Sequence, residues 1–488
     1  MPIDYDLRII QDARDAARKA KEAQDILTTF DQAKLDAIVK AMTEAVVANA
    51  EWLARLAVDE TKYGVYEHKI IKNLFASRDV YEYIKDMKTV GIIKEDKERK
   101  VVEVATPVGV VLGIIPTTNP TSTLIHNAIC AVKSGNAIIF SPHPSAIKCS
   151  CASAQVMQEA ASRCGAPDGV VSCLSKVSIK AVDELMHHDA ISVIVATGGS
   201  AMVKSAYSAG KPALGVGPGN VPAFIERSAN VKQAVKDIIT SKSFDNGMIC
   251  ASEQSIIVDQ PVKEQVIAEL KAQGGYIMND EETEKVGHLV LTPKFGMNPA
   301  FVGKTAEYIA GRAGFSIPKG TKVLIAPLEG YGPEYPLSHE KLTTVLGFYV
   351  VKDWHDGCAL SIELLKLGGI GHSFAIHSQN DEIIREFIRK PVSRILVNTP
   401  SAMGGIGYST GLTPSLTLGC GTWGGSSLSE NLSPLHLINM KKLAYGTKDV
   451  DISQSEAPSA PTISCSDLSS EQVAQLVKEV LSQLQKSS

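Results

Sequence analysis

Cys250 stands in a segment that leaves room around its thiol. Small residues and a glycine surround it between Ser243 and Glu253, so a large reaction partner can approach the sulfur. A thiolate attacks a carbonyl carbon and is later released from the resulting thioester, which suits acyl transfer. A single cysteine in a chain of 488 residues is more often buried and inert. Here the neighbouring motifs favour the chemical interpretation.

An oxyanion-binding group is available in the segment Pro116–Pro120. It follows an apolar strand-like run, and its Asn119 carries an amide N–H that can donate to a developing oxyanion. The backbone N–H of Cys250 is the expected second donor. An Asn-Pro pair taken alone indicates only a turn.

Three other segments carry groups suited to a nucleotide. Ala196–Ser200 follows a predicted strand and opens a helix, where free backbone N–H groups favour phosphate. The Gly/Pro-rich segment Lys211–Pro222 lets backbone approach a ligand closely, unless it is only a loop between domains. Glu340 offers a carboxylate suited to ribose hydroxyls, although an isolated glutamate is usually a solvated surface residue.

The elements that must position these residues follow an α/β pattern. Residues 4–77 have helical spacing, and strand-like runs alternate with helical segments from Val101 onward. The first predicted strands are Val108–Ile115, Asn136–Phe140, Val170–Leu174 and Ile191–Ala196. The helices between them are Ser122–Val132, Ala146–Arg163 and Ile179–His187. This alternation predicts a doubly wound parallel sheet.

A second α/β region is predicted from about Asn220 to Gly424, and it contains Cys250, just before the strand Gln254–Val258. The stretches Lys88–Thr106 and Gly425–Gly446 are expected to be extended arms of the kind that forms dimers.

Composition excludes several classes of function. The net charge is −4 and the basic residues are not clustered, which argues against nucleic-acid binding. No apolar run reaches the length of a membrane span, and residues 1–7 lack the pattern of a secretory signal. Nine cysteines without paired or metal-ligand spacing indicate a reducing compartment and no metal site. We therefore expect a soluble cytoplasmic protein.

Taken in order, these segments resemble the aldehyde dehydrogenase superfamily, and specifically its CoA-acylating branch, which includes enzymes of bacterial microcompartments. The resemblance covers roughly residues 5–447. The motifs that carry it are Ile114–Ser122, Ile138–Pro144, Phe244–Glu253, Gly368–His372 and Pro414–Gly425. It implies two Rossmann-like, doubly wound α/β domains and an extended β oligomerisation arm.

The resemblance also implies a reaction and its residues. Cys250 attacks an aldehyde, Asn119 and the Cys250 amide hold the oxyanion, hydride passes to NAD, and CoA releases the acyl group. The residues that the resemblance assigns to the cofactor are Thr117, Ser141, His143, Thr197, Gly198, Gly199, Ser200, Gly217 and Glu340. The expected substrate is acetaldehyde or propionaldehyde, and the expected assembly is a homodimer or a dimer of dimers.

Two departures from the hydrolytic members favour CoA over water. Those members carry a glutamate base upstream of the nucleophile, whereas the aligned position in the loop Leu214–Asn220 is Val216. Without a base, water attacks a thioester slowly, while a CoA thiol is intrinsically a better nucleophile. The hydrolytic members also place a lysine against the adenosine ribose, where this chain has Ser141. Weaker binding of the adenosine ribose is consistent with a site that releases NADH and then binds CoA.

His372 is assigned two roles that the sequence does not separate. It matches a histidine of the acylating branch and, with a near-neutral pKa in a flexible loop, can accept the CoA thiol proton. It can equally well position that loop through a hydrogen bond.

The C-terminal tail differs in kind from the rest. A Ser/Pro-rich linker is predicted over residues 448–466, followed by an amphipathic helix over 467–488 that begins at a capping box, Ser469–Gln472. Its apolar stripe comprises Val473, Leu476, Val477, Val480, Leu481 and Leu484. The tail resembles encapsulation peptides, which bind shell proteins and so recruit enzymes to the lumen of a bacterial microcompartment. The alternative is a helix that folds back on its own subunit or pairs in the dimer.

The predicted domains are thus residues 1–219 for the dinucleotide, with an arm segment at about 88–106, then 220–424 for catalysis and 425–447 as the oligomerisation arm. Two other functions stay open: a hydrolytic aldehyde dehydrogenase, and a non-catalytic assembly subunit of a microcompartment.

Overall fold

A computed structural model of the chain describes residues 4–450 and 468–485. The strands of these residues, β1 to β15, are Gly91–Asp96, Val101–Pro107, Val110–Ile114, Ile138–Ser141, Val171–Cys173, Ile191–Thr197, Ala213–Val216, Val221–Ile225, Glu253–Asp259, Gly275–Ile277, Val323–Pro327, Val345–Val351, Gly371–His377, Val392–Val397 and Ile438–Ala444. The α-helices, α1 to α17, are Tyr5–Leu27, Gln32–Ala48, Ala50–Thr61, Tyr66–Leu74, Val80–Ile84, Pro120–Lys133, Ile147–Arg163, Ile179–His187, Ser200–Ser208, Val231–Ser243, Lys263–Ala272, Asp280–Val290, Ala306–Ala313, Trp354–Lys366, Asp381–Glu386, Ser401–Gly405 and Ser470–Gln485.

The N-terminal segment is helical, as predicted. Helix α2 shows why: the Asp31 side chain caps its first turn by accepting from the Lys34 N–H, at 2.8 Å. The apolar residues spaced three and four apart are all buried; they are Leu35, Ile38, Val39, Met42 and Val46.

The first sheet has five parallel strands in the order β5-β4-β3-β6-β7. Strands β3 and β4 are buried along their whole length, as expected for a sheet covered by helices on both faces. The chain moves outward from β3 to β5 and then returns to place β6 on the other side of β3. The strand order therefore reverses between β3 and β6, and in such sheets ligands bind at the carboxyl ends of the strands at this point.

The second sheet has seven strands in the order β10-β11-β12-β9-β8-β13-β14, and every pairing in it is parallel. Its strand β9 begins three residues after Cys250 and is buried throughout, which confirms the predicted buried strand. Strands β7 and β8 lie in different sheets although only four residues separate them. The domain boundary predicted at 219/220 falls in this connection and stays a prediction.

The chain divides into two compact units. The first runs up to Lys94 and resumes from Val102 to Lys442, and it contains both parallel sheets. The second consists of Glu95–Val101 and the described residues from Leu443 onward, including α17. A three-stranded sheet has the order β1-β2-β15, so extended strands do form in the two predicted arm stretches.

Helix α17 begins at the predicted capping box. The Ser469 N–H donates to Gln472 Oε1 at 3.0 Å, and the Gln472 N–H donates to Ser469 Oγ at 3.4 Å. The side chains of Val473, Leu476 and Leu481 on its apolar stripe are each about half exposed. Residues 451–466 of the predicted linker lie outside the described residues, as do residues 467 and 486–488 of the predicted helix. Among the described helices, none combines the length and the apolar character that a membrane crossing needs.

Candidate active site

One cavity of about 440 Å³ in the first unit collects most of the predicted site residues. Those that line it are Thr117, Asn119, Ser141, His143, Thr197, Gly198, Gly199, Gly217, Cys250 and Glu340. Of the predicted set, Ser200 and His372 are not part of the lining. Ser200 is the first residue of α9, directly after Gly199.

The parallel topology explains why residues far apart in sequence meet here. Ile114, Ser141, Thr197 and Val216 all line the cavity, and each is the last residue of its strand: β3, β4, β6 and β7. The carboxyl ends of parallel strands share one edge of the sheet, and the reversal of strand order between β3 and β6 opens a crevice there. The cavity lies where the topology predicts a nucleotide site.

Cys250 is partly buried at the end of an unusual loop. Asp245 and Asn246 adopt left-handed backbone conformations with φ of 47° and 55°, which non-glycine residues rarely do. Burial, with a smaller contribution from the Glu340 carboxylate, raises the pKa of the Cys250 thiol to about 12, while the Arg394 guanidinium opposes this. The resting cysteine is therefore a thiol at neutral pH.

Gly219 allows the backbone to pass beside the nucleophile. A Cβ at this position would overlap the carbonyl oxygen of Cys250 and lie 3.3 Å from the His372 ring. The Gly219 N–H donates to Glu340 Oε1 at 2.8 Å, which fixes the carboxylate at the cavity wall. Burial raises the pKa of Glu340 to about 7, against the lowering effect of the Gly219 N–H and of Lys242 and Lys341.

Asn119 immediately precedes α6 and faces the cavity. Its Nδ2 donates to the Met248 carbonyl at 3.3 Å and to Thr118 Oγ1 at 3.1 Å, while its Oδ1 accepts from the Lys72 ammonium at 2.6 Å. The carboxamide is thus held at both ends, with its N–H groups on the side of the segment that leads to Cys250.

The sequence analysis did not identify Lys72. It lies on α4 with Lys69, and both ammonium groups pair with the buried Asp245 carboxylate of the loop that leads to Cys250. A pair of lysines spaced three apart in a mostly polar helix is an ordinary surface pattern. Only the fold reveals that these two face inward, because Asp245 is 173 residues from Lys72.

The structure corrects the expectation for His372. It lies in strand β13, not in a flexible loop, and is fully buried. Burial, with a contribution from Arg394, lowers its pKa well below 6.5, so the near-neutral value expected from the sequence is wrong. Its Nδ1 lies 3.0 Å from Ser373 Oγ, whereas the buried Nε2 has no hydrogen-bond partner among the described residues. An imidazole held neutral with one nitrogen unsatisfied is available to a ligand group that reaches it.

Two of the predicted cofactor residues differ in exposure. Ser141 is buried at the end of β4, whereas His143 is exposed and its Nδ1 accepts from the Ser145 N–H at 3.1 Å. Val216 is buried in the cavity wall, and Glu340 is the one carboxylate among the lining residues. The described residues contain no group of three or more His, Cys, Asp or Glu side chains arranged to hold a metal ion.

Comparison with known proteins points to one family. The model of the aldehyde dehydrogenase family matches residues 9–293. The chain is 43% identical over 432 residues to the bifunctional aldehyde-alcohol dehydrogenase AdhE of Escherichia coli K12, covering 87% of this chain and 48% of that protein. The chain therefore spans about half the length of that relative. It is also 40% identical to the acetylating succinate-semialdehyde dehydrogenase of Clostridium kluyveri, covering 90% of this chain and 97% of that protein.

Solved structures agree with this assignment. An acetylating aldehyde dehydrogenase from Geobacillus thermoglucosidasius superposes with a TM-score of 0.91 at 49% identity, covering 92% of this chain and all of that one. A propionaldehyde dehydrogenase from a fucose-utilisation microcompartment of Clostridium phytofermentans gives 0.81 at 28% identity, covering 89% and 97%. A propionaldehyde dehydrogenase from Rhodopseudomonas palustris, solved with bound CoA and an acylated cysteine, gives 0.80 at 28%, also covering 89% and 97%.

Proposed function

Because the chain belongs to the aldehyde dehydrogenase family, we propose that it oxidises a short-chain aldehyde to its acyl-CoA with reduction of NAD. One observation supports CoA, and not water, as the nucleophile that releases the acyl group. The cavity beside Cys250 contains a single carboxylate, Glu340, which is bound to the Gly219 N–H, and the buried wall at Val216 is apolar. Hydrolysis of a thioester needs a base to activate water, and this wall offers none at that position. The acetylating relatives support the same choice.

In the proposed reaction, the Cys250 thiol first releases its proton to solvent. The resulting thiolate adds to the aldehyde carbon, and the carbonyl electrons move to oxygen. Asn119 and the Cys250 backbone N–H donate to this oxyanion. Collapse of the adduct restores the C=O bond and expels hydride, which leaves a thioester on Cys250. A CoA thiolate then attacks the thioester carbon, and the Cys250 thiolate departs.

The lining of the cavity fits a dinucleotide. The free N–H groups at the start of α9, after Gly198 and Gly199, suit a pyrophosphate, and the fixed Glu340 suits ribose hydroxyls. NAD, when bound, supplies the hydride acceptor. Ser141 and His143 at the end of β4 would lie near the adenosine, as the family resemblance implies.

An assay with aldehyde, NAD and CoA tests this proposal. NADH should form in quantity only when CoA is present, with one acyl-CoA per NADH detected by mass spectrometry. NADH and free acid formed equally well without CoA would favour the hydrolytic alternative. An absence of NADH and of acyl-CoA with any short aldehyde would favour a non-catalytic subunit.

The substrate is proposed to be a neutral aldehyde, such as acetaldehyde or propionaldehyde. The cavity that Cys250 lines also includes Met248, Leu342 and Leu416, and no lysine or arginine among the described residues lines it to bind a second charged group. A carboxylated or sulfonated aldehyde needs such a cation. We expect kcat/KM for propionaldehyde to exceed that for succinate semialdehyde by at least about tenfold, the effect of one unpaired charge contact. The reverse order would contradict this proposal while leaving the acylating reaction intact.

The tail is proposed to recruit the enzyme to the shell of a bacterial microcompartment. Helix α17 has a capped start and an apolar stripe whose side chains are about half exposed, and such a short helix is marginally stable alone. The similarity to a microcompartment enzyme supports this context.

A fusion of residues 464–488 to a fluorescent passenger should co-sediment with shells. Charged residues in place of Leu476 and Leu481 should abolish this, whereas a change at the opposite-facing Lys478 should not.

A further inference from the structure

Helix α4 contributes two buried lysines that the proposed reaction leaves without a role. Lys69 and Lys72 are each only 2% exposed. Taking an ammonium group out of water carries a large desolvation penalty, which is offset only when the charge is paired and hydrogen-bonded. Helix α4 could form with its lysines in solvent, without this penalty, so the burial of these two side chains requires a specific explanation.

The two lysines share one partner but differ in the other. Both bind the Asp245 carboxylate, Lys69 at 3.2 Å. Lys69 Nζ also donates to the Thr118 carbonyl at 3.3 Å, whereas Lys72 Nζ donates to Asn119 Oδ1 at 2.6 Å. Lys72 therefore connects α4, the turn that carries Asn119 and the loop that leads to Cys250.

The contact determines which end of the Asn119 carboxamide faces the nucleophile. A primary amide presents an acceptor at one end and two donors at the other, and rotation by half a turn exchanges them. The ammonium has only donors, so it can bind Oδ1 but not Nδ2. With Oδ1 held by Lys72, the N–H groups must point away, towards the Met248 carbonyl and Thr118 Oγ1. Both of these residues line the cavity, and the oxyanion would replace one of these two acceptors.

We propose that Lys72 is a positioning residue, which holds Asn119 in the donor orientation and adds positive charge behind the oxyanion formed at Cys250. The inference rests on the proposed function and adds to it a residue that acts through Asn119. When the thiolate forms its C–S bond, the carbonyl π electrons become an alkoxide. An ammonium bonded to the amide oxygen polarises the amide and strengthens the N–H donor that meets this alkoxide.

The charges around Lys72 support a net positive field. The titratable groups that face it are Lys69 and His68 from α4, and Asp245 and Cys250 from the loop. Two ammonium groups against one carboxylate leave one positive charge. Burial lowers the pKa of Lys72 to about 8, and the Asp245 carboxylate opposes this, so the charge is mostly present at neutral pH.

A cofactor-free experiment isolates this role. Trifluoroacetone is a short ketone whose adduct with a cysteine ionises to a stable alkoxide, and fluorine NMR follows that ionisation. In Lys72→Met we expect the pKa of the adduct hydroxyl to rise by about one to two units, somewhat less than removal of an oxyanion donor costs. The rate of NADH formation in a single turnover should fall about ten- to hundredfold, with the NAD dissociation constant unchanged.

Lys69→Met is the matched control. It removes an equally buried charge from the same carboxylate without breaking a contact to Asn119, so it measures the effect of the field alone, and the adduct pKa should rise clearly less than in Lys72→Met. Lys72→Arg, which keeps the charge, should recover part of the loss. Adding Lys72→Met to Asn119→Ala should cost little more than Asn119→Ala alone, because the lysine acts through the amide.

Equal effects of Lys69→Met and Lys72→Met, or additive losses with Asn119→Ala, would overturn the inference and reduce Lys72 to a structural ion pair. If Lys72→Met does not fold, the pair Lys72→Ala and Lys69→Ala carries the same comparison, since each removes the ammonium charge and its donors together. The adduct needs neither NAD nor CoA. A failure to make acyl-CoA would therefore count against the proposed function and leave this measurement valid.

Discussion

The thiol of Cys250 combines two properties that usually exclude each other. It faces a cavity large enough for a ligand, yet burial raises its pKa to about 12. Exposed thiolates oxidise readily, whereas a protonated thiol does not. A nucleophile that stays protonated until its site is filled is protected between turnovers, and the positive charge near Asn119 stabilises the product of its attack.

The raised pKa predicts the pH dependence of alkylation. In the ligand-free protein, iodoacetamide should modify Cys250 slowly at pH 7, and the rate should rise about tenfold per pH unit up to pH 9 without a plateau, because the thiolate fraction rises in this way below the pKa. Peptide mass spectrometry measures the rate, and Cys250→Ala provides the blank. A plateau below pH 9 would mean that the resting thiol is far more acidic than its burial implies.

The side chain at position 216 is expected to decide between water and CoA. Val216→Glu places a carboxylate on the buried wall of the cavity, where burial would raise its pKa and make it a better base. CoA-independent formation of acid should rise about tenfold, which is less than the full benefit of a general base because the backbone at the end of β7 is not arranged to aim this side chain. Val216→Gln, of the same size but without a base, should show no gain. If both variants behave alike, the missing carboxylate is not what suppresses hydrolysis.

Among the elements, the parallel strands were the most predictable part of the chain. Strand β6 was expected at Ile191–Ala196 and is found at Ile191–Thr197, and α8 has the predicted bounds Ile179–His187. Continuous β-branched runs that alternate with amphipathic helices specify this architecture locally. The shared edge formed by the carboxyl ends of β3, β4 and β6 then followed from topology, which is why most of the predicted residues line one cavity. Strand β7 was not predicted, because it lies in the Gly/Pro-rich segment Lys211–Pro222 that was expected to be a loop.

Two features needed the fold itself. His372 was expected in a loop because its glycine-rich surroundings indicate flexibility, but pairing of β13 with β8 and β14 buries it in the sheet. The sequence analysis did not single out Lys69 and Lys72, because their partner Asp245 is far away in sequence. Burial of polar groups depends on such long-range contacts, and spacing within one helix cannot reveal them.

The loop between β7 and β8 is expected to tolerate no side chain at Gly219. A methyl group there would overlap the Cys250 carbonyl oxygen, which is backbone and cannot move aside alone. Gly219→Ala should therefore lower the rate of acyl-enzyme formation by about a hundredfold, comparable with a misplaced oxyanion site. Gly311→Ala in α13, outside the cavity lining and with nothing within 4 Å of the added carbon, is the control for the substitution. Equal activity of the two variants would mean that the loop adjusts without disturbing Cys250.

The active-site cavity and the C-terminal helix belong to different units of the chain. The cavity and Cys250 belong to the first unit, while α17 belongs to the second. An amphipathic helix carried outside the unit that performs the chemistry can change its partner without altering the active site. The predicted dimer or dimer of dimers, with arms near β1, β2 and β15, is a separate matter and stays a prediction.

Truncation after Lys448 tests this separation. The shortened enzyme should keep kcat and KM for aldehyde, NAD and CoA within about twofold, because every residue that lines the cavity precedes position 417. It should also keep its oligomeric mass by light scattering, while losing co-sedimentation with microcompartment shells. The matched control is the full chain with Leu476 and Leu481 changed to charged residues, which keeps the length of the tail but interrupts its apolar stripe. If truncation lowers activity or dissociates the oligomer while the charged variant does neither, the tail is part of the enzyme's own structure. If both variants still sediment with shells, recruitment depends on another surface of the protein.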